Sequence, residues 1–156
     1  MAETITELPI LRAFPSSGTP AKLTLINNRP CIKFDAANQE MLFQSILPDK
    51  YIGGSLRVKL FWIADPYVVG NLTWEASYKK LAEGYNYLTS PYTSTKTLIT
   101  TPLGLDLLNI SYMTFTNIEL GYDVNSLDEL FIMKIKVNAL QPASAINLLN
   151  VILENV

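Results

Sequence analysis

The sequence predicts a single all-β domain, built as a two-sheet sandwich or a closed barrel. The chain has 156 residues, a length that suits one domain. Short segments of alternating apolar and polar residues recur along it, separated by turn-forming clusters, and this spacing is typical of sandwiches and barrels. Hydrophobic residues make up 49% of the chain, so a core can form without disulfides or metals.

The first twenty residues predict an extended arm. They hold three prolines and a Ser-Ser-Gly run, which disfavour a regular helix or a central strand. The arm also has four large apolar side chains, and we expect them to be covered, either by the arm's own domain or by a neighbouring chain. We therefore divide the chain into an N-terminal arm (residues 1–20) and a β-domain (residues 21–156). The candidate partner-binding residues of the arm are Leu8, Ile10, Leu11 and Phe14.

Four strands are predicted in the first half of the β-domain. Segments 21–26 and 31–35 predict a hairpin, because Asn27 and Asn28 between them tolerate left-handed backbone. Segment 41–47 follows. The clearest strand is 55–64, whose inner face is formed by alternate residues, namely Leu56, Val58, Leu60, Trp62 and Ala64.

Five further strands are predicted in the second half. In 71–81 the alternation places Trp74 on the inner face, and in 129–137 it leaves Ile132, Lys134 and Lys136 on the wet face. Residues 118–128 before that strand could form one helical turn. The other three strands are 96–101, 108–117 and 147–156.

The tyrosine loop, residues 82–95, is too long and too aromatic for a plain connector. Tyr85, Tyr87 and Tyr92 offer rigid contact area that is half apolar and half polar. We expect the loop at a tip of the domain, where its tyrosines either pack on a neighbouring protomer, the alternative we favour, or form an outward recognition surface. These three tyrosines are the second set of candidate partner-binding residues.

Composition argues against most enzymes. The chain has no histidine and one cysteine, which excludes Ser-His-Asp and Cys-His nucleophiles and histidine or four-cysteine metal sites. We expect no catalytic residues, metal or cofactor. Asp123, Asn125 and Asp128 have calcium-type oxygens, but a helix-capping turn is favoured. Cys31 is expected to be a buried, inert thiol.

Charge and targeting signals exclude other classes of partner. The formal net charge is −2 and the basic residues are scattered, so we expect no nucleic-acid binding. The opening residues carry Glu3 and Glu7 where a signal peptide has a basic stretch. No apolar run is long enough to span a bilayer, and we expect no membrane association.

Residues 19–40 resemble the opening of a family of small virion proteins of tailed bacteriophages. The run Thr-Pro-Ala-Lys-Leu and then Asn-Arg-Pro-Cys-Ile-Lys-Phe-Asp-Ala-Ala-Asn-Gln-Glu are similar to that family's NGRPVLxFDAATDE-like stretch, although Asn28 stands where glycine is commoner. The likeness continues through 54–62 and 70–76 to the Thr116–Asn117 pair, and it covers roughly residues 19–153 in all.

The resemblance implies an eight- to nine-stranded β-jelly-roll sandwich with an extended N-terminal arm. Proteins of this kind trimerise on the phage particle as capsid decoration (cement) proteins, head fibres or related surface components. We therefore expect a non-enzymatic structural protein of the virion surface, synthesised in the host cytoplasm. Its expected partners are itself, as a homotrimer, and the major capsid protein of a phage.

A second hypothesis is a carbohydrate-binding or host-adhesion module of a phage fibre or tail. Jelly-roll sandwiches are common hosts for carbohydrate binding, and Tyr85, Tyr87 and Tyr92 would supply rings for stacking on glycans. Fold alone does not separate the two hypotheses.

Overall fold

The computed structural model describes residues 2–46, 54–64, 70–81, 83–87, 89–104, 106–116, 130–138 and 145–156. Within these ranges the chain forms strands and one 3₁₀ turn, Ile10–Arg12. None of the helical structure in them is long and apolar enough to cross a membrane. The strands are β1 (Glu3–Leu8), β2 (Phe14–Pro15), β3 (Lys22–Ile26), β4 (Arg29–Phe34), β5 (Gln39–Ile46), β6 (Leu56–Ala64), β7 (Leu72–Leu81), β8 (Ser94–Thr100), β9 (Asn109–Phe115), β10 (Leu130–Asn138) and β11 (Ile146–Asn155).

The strands form two antiparallel sheets, which pack face to face as a sandwich. Sheet A has the order β3-β4-β11-β6-β9, with β1 also paired to β11, and sheet B has the order β2-β5-β10-β7-β8. The last eight strands of the chain thus make two four-stranded sheets, β4-β11-β6-β9 and β5-β10-β7-β8, in jelly-roll order. The predicted jelly-roll sandwich is confirmed.

The core lies between the two sheets and is built by period-two alternation. Every second residue of β6 is buried, as the sequence pattern predicted. Trp62 and Trp74 are fully buried on the inner faces of their strands, with ring centroids 5.8 Å apart, and Phe34 packs edge-on against Trp74 at 5.5 Å. The expectation that both tryptophans belong to the core is confirmed.

The predicted hairpin between β3 and β4 is also confirmed. Ile26 pairs with Arg29, so the loop has two residues, and Asn27 and Asn28 both adopt positive φ, 47° and 63°. Positive φ at both loop positions matches the right-handed twist of the flanking strands.

The N-terminal arm is part of the sandwich, which corrects the boundary placed at residue 20. β1 pairs with β11 from Glu3 to Leu8, and β2 pairs with β5 through Phe14 and Pro15. Leu8 lies in the hydrophobic core because the pairing of β1 with β11 turns it between the sheets, and Ile10, in the 3₁₀ turn that follows, is buried in the same core. The expectation that these two residues bind a partner chain is therefore corrected.

Other predicted features fall partly outside the described residues. The helical turn expected in 118–128, with Asp123, Asn125 and Asp128, lies in a part of the chain that the structure does not describe.

Cys31 is fully buried, as expected, and burial raises the pKa of its thiol, which keeps it protonated. Its Sγ lies 4.0 Å from Oδ1 of Asn147.

Candidate functional site: a tyrosine–lysine groove on sheet B

The outer face of sheet B carries a groove of about 340 Å³ between the arm and the tyrosine loop. Its floor is formed by β5 and β10, one wall by the arm and the other by the loop. A volume of this size is at the lower end of the range for small-molecule sites. The lining residues are Phe14, Ser16, Ser17, Glu40, Leu42, Lys79, Tyr87, Tyr92, Ile132 and Lys134.

Strand register brings the floor residues together. Lys134 of β10 lies opposite Leu42 of β5 on one side and Ser77 of β7 on the other, while Ile132 lies opposite Lys79. These side chains point away from the core, because Phe131 and Met133 on the alternate positions of β10 are buried between the sheets. Ile132 is buried as well, although it lies on the outer face.

The arm wall is held by hydrogen bonds to the start of β5. The amide of Ala21 donates to the carbonyl of Glu40, and the amide of Glu40 donates to the carbonyl of Thr19, each at 2.9 Å. Together with the pairing of Phe14 and Leu42, these bonds hold residues 14–21 along the edge of sheet B. Phe14, Ser16 and Ser17 line the groove from this position.

The loop wall is held by a buried lysine. Lys79 projects from the outer face of β7, and its ammonium donates to the backbone carbonyls of Tyr87 at 3.2 Å and Ser90 at 3.3 Å. The amide of Thr93 donates to the carbonyl of Tyr78 at 2.7 Å, which returns the chain to the sheet. The loop therefore folds back over its own sheet and does not project from a tip.

Two tyrosines of the loop form the aromatic part of the groove. The Tyr87 hydroxyl donates to Oε1 of Gln44 at 2.9 Å, and about half of Tyr87 remains exposed. Tyr92 is half-buried, with the ammonium of Lys134 4.4 Å and that of Lys79 5.3 Å from its ring centroid. Burial, with smaller contributions from Glu40 and Tyr87, raises the pKa of the Tyr92 phenol.

The predicted site residues thus separate into three groups. Tyr87, Tyr92 and Phe14 meet in the groove, which the sequence did not anticipate because they come from the loop and the arm. Tyr85 and Leu11 are exposed, at 59% and 70%, and lie outside the groove lining. Leu8 and Ile10 belong to the core.

Sequence reasoning missed the polar residues of the groove. Glu40, Lys79 and Lys134 lie on three different strands, and in each strand the alternation predicts an ordinary solvent-exposed position. A signal was present: Leu42 and Ile132 are apolar residues on those wet faces, which indicates a covered or ligand-facing position. Among the described residues no group of three or more acidic, cysteine or histidine side chains could hold a metal ion.

Comparison with known proteins relates the chain to others through its fold. No family model matches the sequence, and no curated protein matches it. Part of the insecticidal delta-endotoxin Cry8Ea1 from Bacillus thuringiensis is similar at a TM-score of 0.57 and 12% identity, over 97% of this chain and 24% of the toxin. The chain therefore spans about a quarter of that protein.

Two smaller structures are similar over most of their length. The carbohydrate-binding module CBM28, described as specific for non-crystalline cellulose, has a TM-score of 0.51 and 9% identity over 90% of this chain and 85% of the module. The K3 cleaved adhesin domain of Lys-gingipain from Porphyromonas gingivalis has a TM-score of 0.50 and 8% identity over the whole of both chains. At such identities these likenesses show the fold alone: a jelly-roll-like β-sandwich.

Proposed function

We propose that the protein is a non-catalytic carbohydrate-binding module whose site is the groove on sheet B. The observation that carries this proposal is the placement of Tyr87 and Tyr92 beside the charged groups of Glu40 and Lys134 in one open groove. Sugars have apolar C–H faces and a rim of hydroxyl groups. A tyrosine ring suits the face, while carboxylate, amide and ammonium groups suit the rim.

The fold likeness supports this proposal without deciding it. CBM28 is a carbohydrate-binding module and the gingipain domain is an adhesin, and both have a similar sandwich. A shared sandwich is compatible with many functions, so the proposal depends on the groove itself.

A panel of immobilised oligosaccharides, followed by titration calorimetry of those that bind, tests the proposal. We expect binding to at least one saccharide and about a tenfold or greater loss in Tyr92→Ala, because the ring lines the groove and supplies apolar contact area. Tyr85→Ala is the matched control, since Tyr85 belongs to the same loop but lies outside the groove. Absence of binding across the panel, or an equal loss in both variants, would overturn the proposal.

The resemblance to phage virion proteins suggests a second candidate, a homotrimeric capsid decoration protein. The observation in its favour is an exposed apolar face along the edge of the sandwich formed by β8 and β9, where Ile99 points outward from sheet B and Ile110 and Tyr112 point outward from sheet A. Residues 97–116 contain one charged residue, Asp106. Their exposed large apolar side chains are Ile99, Leu103, Leu107, Leu108, Ile110 and Tyr112.

We propose a second copy of the chain as the occupant of this face. Apolar area of this kind is typical of homo-oligomer interfaces, and two cations lie beside it, those of Arg57 and Lys59, which are 4.7 Å and 5.6 Å from the Tyr112 ring centroid. The exposed Leu11 of the arm stays a candidate contact with a capsid subunit. The virion function is tested by adding the purified protein to phage particles that lack it. Specific, saturable binding supports the function, and failure to bind the particles of any candidate phage contradicts it.

A further inference from the structure

We infer that the groove selects saccharides that carry an acidic group, and this inference rests on the proposed carbohydrate-binding function. The decisive feature is the position of Lys134. Its ammonium lies over the Tyr92 ring, 4.4 Å from the ring centroid, and both residues line the groove. A carboxylate or sulfate on a sugar bound in the groove would therefore come within reach of a cation.

The charges that line the groove leave it positive. Among the described residues of the lining, Lys79 and Lys134 contribute two ammonium groups and Glu40 contributes one carboxylate. Lys79 uses its ammonium on two neutral backbone carbonyls, so that hydrogen bonding does not cancel its charge. The aromatic rings of Tyr87 and Tyr92 lie 5.9 Å and 5.3 Å from it and are also neutral.

Lys134 retains donors for a ligand. Among the described residues its nearest carboxylate oxygen, Oε2 of Glu40, is 3.7 Å away, beyond hydrogen-bond distance, and both side chains are about one-fifth exposed. Within the described part of the chain, the ammonium of Lys134 makes an ion pair and a ring contact and no shorter polar contact. An acidic group entering the groove would replace this loose ion pair by a direct, charge-assisted hydrogen bond.

The neighbouring row of charges is balanced and does not change this result. Lys136 lies opposite Glu40 and Glu75 in register, one row further along the sheet. Glu75 accepts a hydrogen bond from Asn138 at 3.0 Å. Neither Lys136 nor Glu75 lines the groove.

The carboxylate of Glu40 repels an acidic ligand, whereas the ammonium of Lys134 attracts it. Removing each charge should therefore change the affinity for an acidic ligand in opposite directions. Removing the charge of Glu40 in Glu40→Gln leaves two cations facing the ligand, whereas removing the charge of Lys134 in Lys134→Gln leaves one cation and one anion. A neutral saccharide has no net charge to respond to either change, apart from hydrogen bonds of ordinary strength.

Matched saccharide pairs measure the preference by titration calorimetry. The pairs are sialyllactose with lactose, oligogalacturonate with its methyl ester, and sulfated lactose with lactose, so that carboxylate and sulfate are distinguished. We expect at least one acidic member to bind about tenfold more tightly than its neutral partner, a difference of about 1.4 kcal/mol. We expect the preference to shrink as salt is added, because the pairing is partly exposed.

The variants then assign the preference to the groove. Lys134→Gln should remove most of it, and Glu40→Gln should enlarge it. Lys33→Gln changes the net charge equally but lies on β4 of the other sheet, so it should leave the preference unchanged. Equal affinity for acidic and neutral members overturns the inference while the carbohydrate-binding function stands. An acidic preference that survives Lys134→Gln also overturns it, and absence of any binding overturns both.

Discussion

The ammonium of Lys134 lies over the face of the Tyr92 ring, 4.4 Å from its centroid. This distance is well within the range of cation–π attraction. Lys134 belongs to β10 and Tyr92 to the tyrosine loop, so the contact joins the loop to the centre of sheet B. The same ring is half-buried by its surroundings, which favours its neutral form.

The first prediction concerns alkaline stability. The pKa of Tyr92 is raised above its ordinary value of 10.0, mainly by burial and further by Glu40 and Tyr87. The folded protein therefore keeps this proton at a pH where the unfolded chain has lost it, so the free energy of unfolding falls as pH rises from 10.0 through the raised value. Urea unfolding should show a steeper alkaline loss for the wild type than for Tyr92→Phe. Identical pH profiles for the two proteins would contradict this assignment.

The second prediction concerns the N-terminal arm as part of the core. Leu8→Ala should destabilise the protein by about 2–5 kcal/mol, because Leu8 is 2% exposed and its removal leaves a cavity between the sheets. Leu11→Ala is the matched control in the same arm and, at 70% exposure, should cost no more than about 0.5 kcal/mol. Denaturant unfolding measures both. Similar small losses in the two variants would mean that the arm is dispensable for folding.

The third prediction concerns a buried hydrogen bond in the core. Nε1 of Trp62 donates to Oγ of Ser111 at 2.9 Å, and both residues are buried. Nε1 of Trp74 is buried and has no hydrogen-bond partner among the described residues. Ser111→Ala would leave Nε1 of Trp62 without its acceptor and should cost about 1–3 kcal/mol. Thr114→Ala, at an exposed position of the same strand, should change stability by less than about 0.5 kcal/mol, and an equal effect of both would contradict the role of this bond.

The fourth prediction concerns the exposed apolar face of residues 97–116. If a second copy covers it, sedimentation equilibrium should show a concentration-dependent oligomer, with a trimer as the expected state. The double variant Ile99→Lys and Ile110→Lys should shift the protein to monomer, because each change places a cation in an apolar interface. The double variant Leu23→Lys and Leu25→Lys, on the exposed edge strand β3, is the control and should leave the oligomer intact. A wild type that stays monomeric at high micromolar concentration would contradict the prediction.

Alternation located the strands of the β-domain because burial of one face leaves a period of two in the sequence. The segments predicted at 55–64 and 71–81, for example, are the strands Leu56–Ala64 and Leu72–Leu81. Alternation does not report which strands pair. Pairing of β10 with both β5 and β7, which brings Lys134 beside Leu42 and Ser77, depends on contacts between distant parts of the chain.

The sequence predicted two of the groove's residues but not where they lie. Tyr87 and Tyr92 could be chosen because a long aromatic loop is unusual. Their position could not, because it depends on Lys79, which reads as a solvated residue and is buried under the loop. Leu8 was assigned to partner binding because the prolines of the arm disfavour a regular strand. It lies instead in β1, which pairs with the distant β11.

Chemical-shift mapping of the isotope-labelled protein, titrated with sialyllactose and with the tightest-binding saccharide of the panel, tests carbohydrate binding in the groove most directly. We predict saturable shifts of the backbone amides of Ser16, Leu42, Tyr92 and Lys134, with residues of the apolar face at 106–112 unaffected. Shifts confined to that face or to the edge strand β3, with the groove amides unchanged at saturation, would contradict the proposed site.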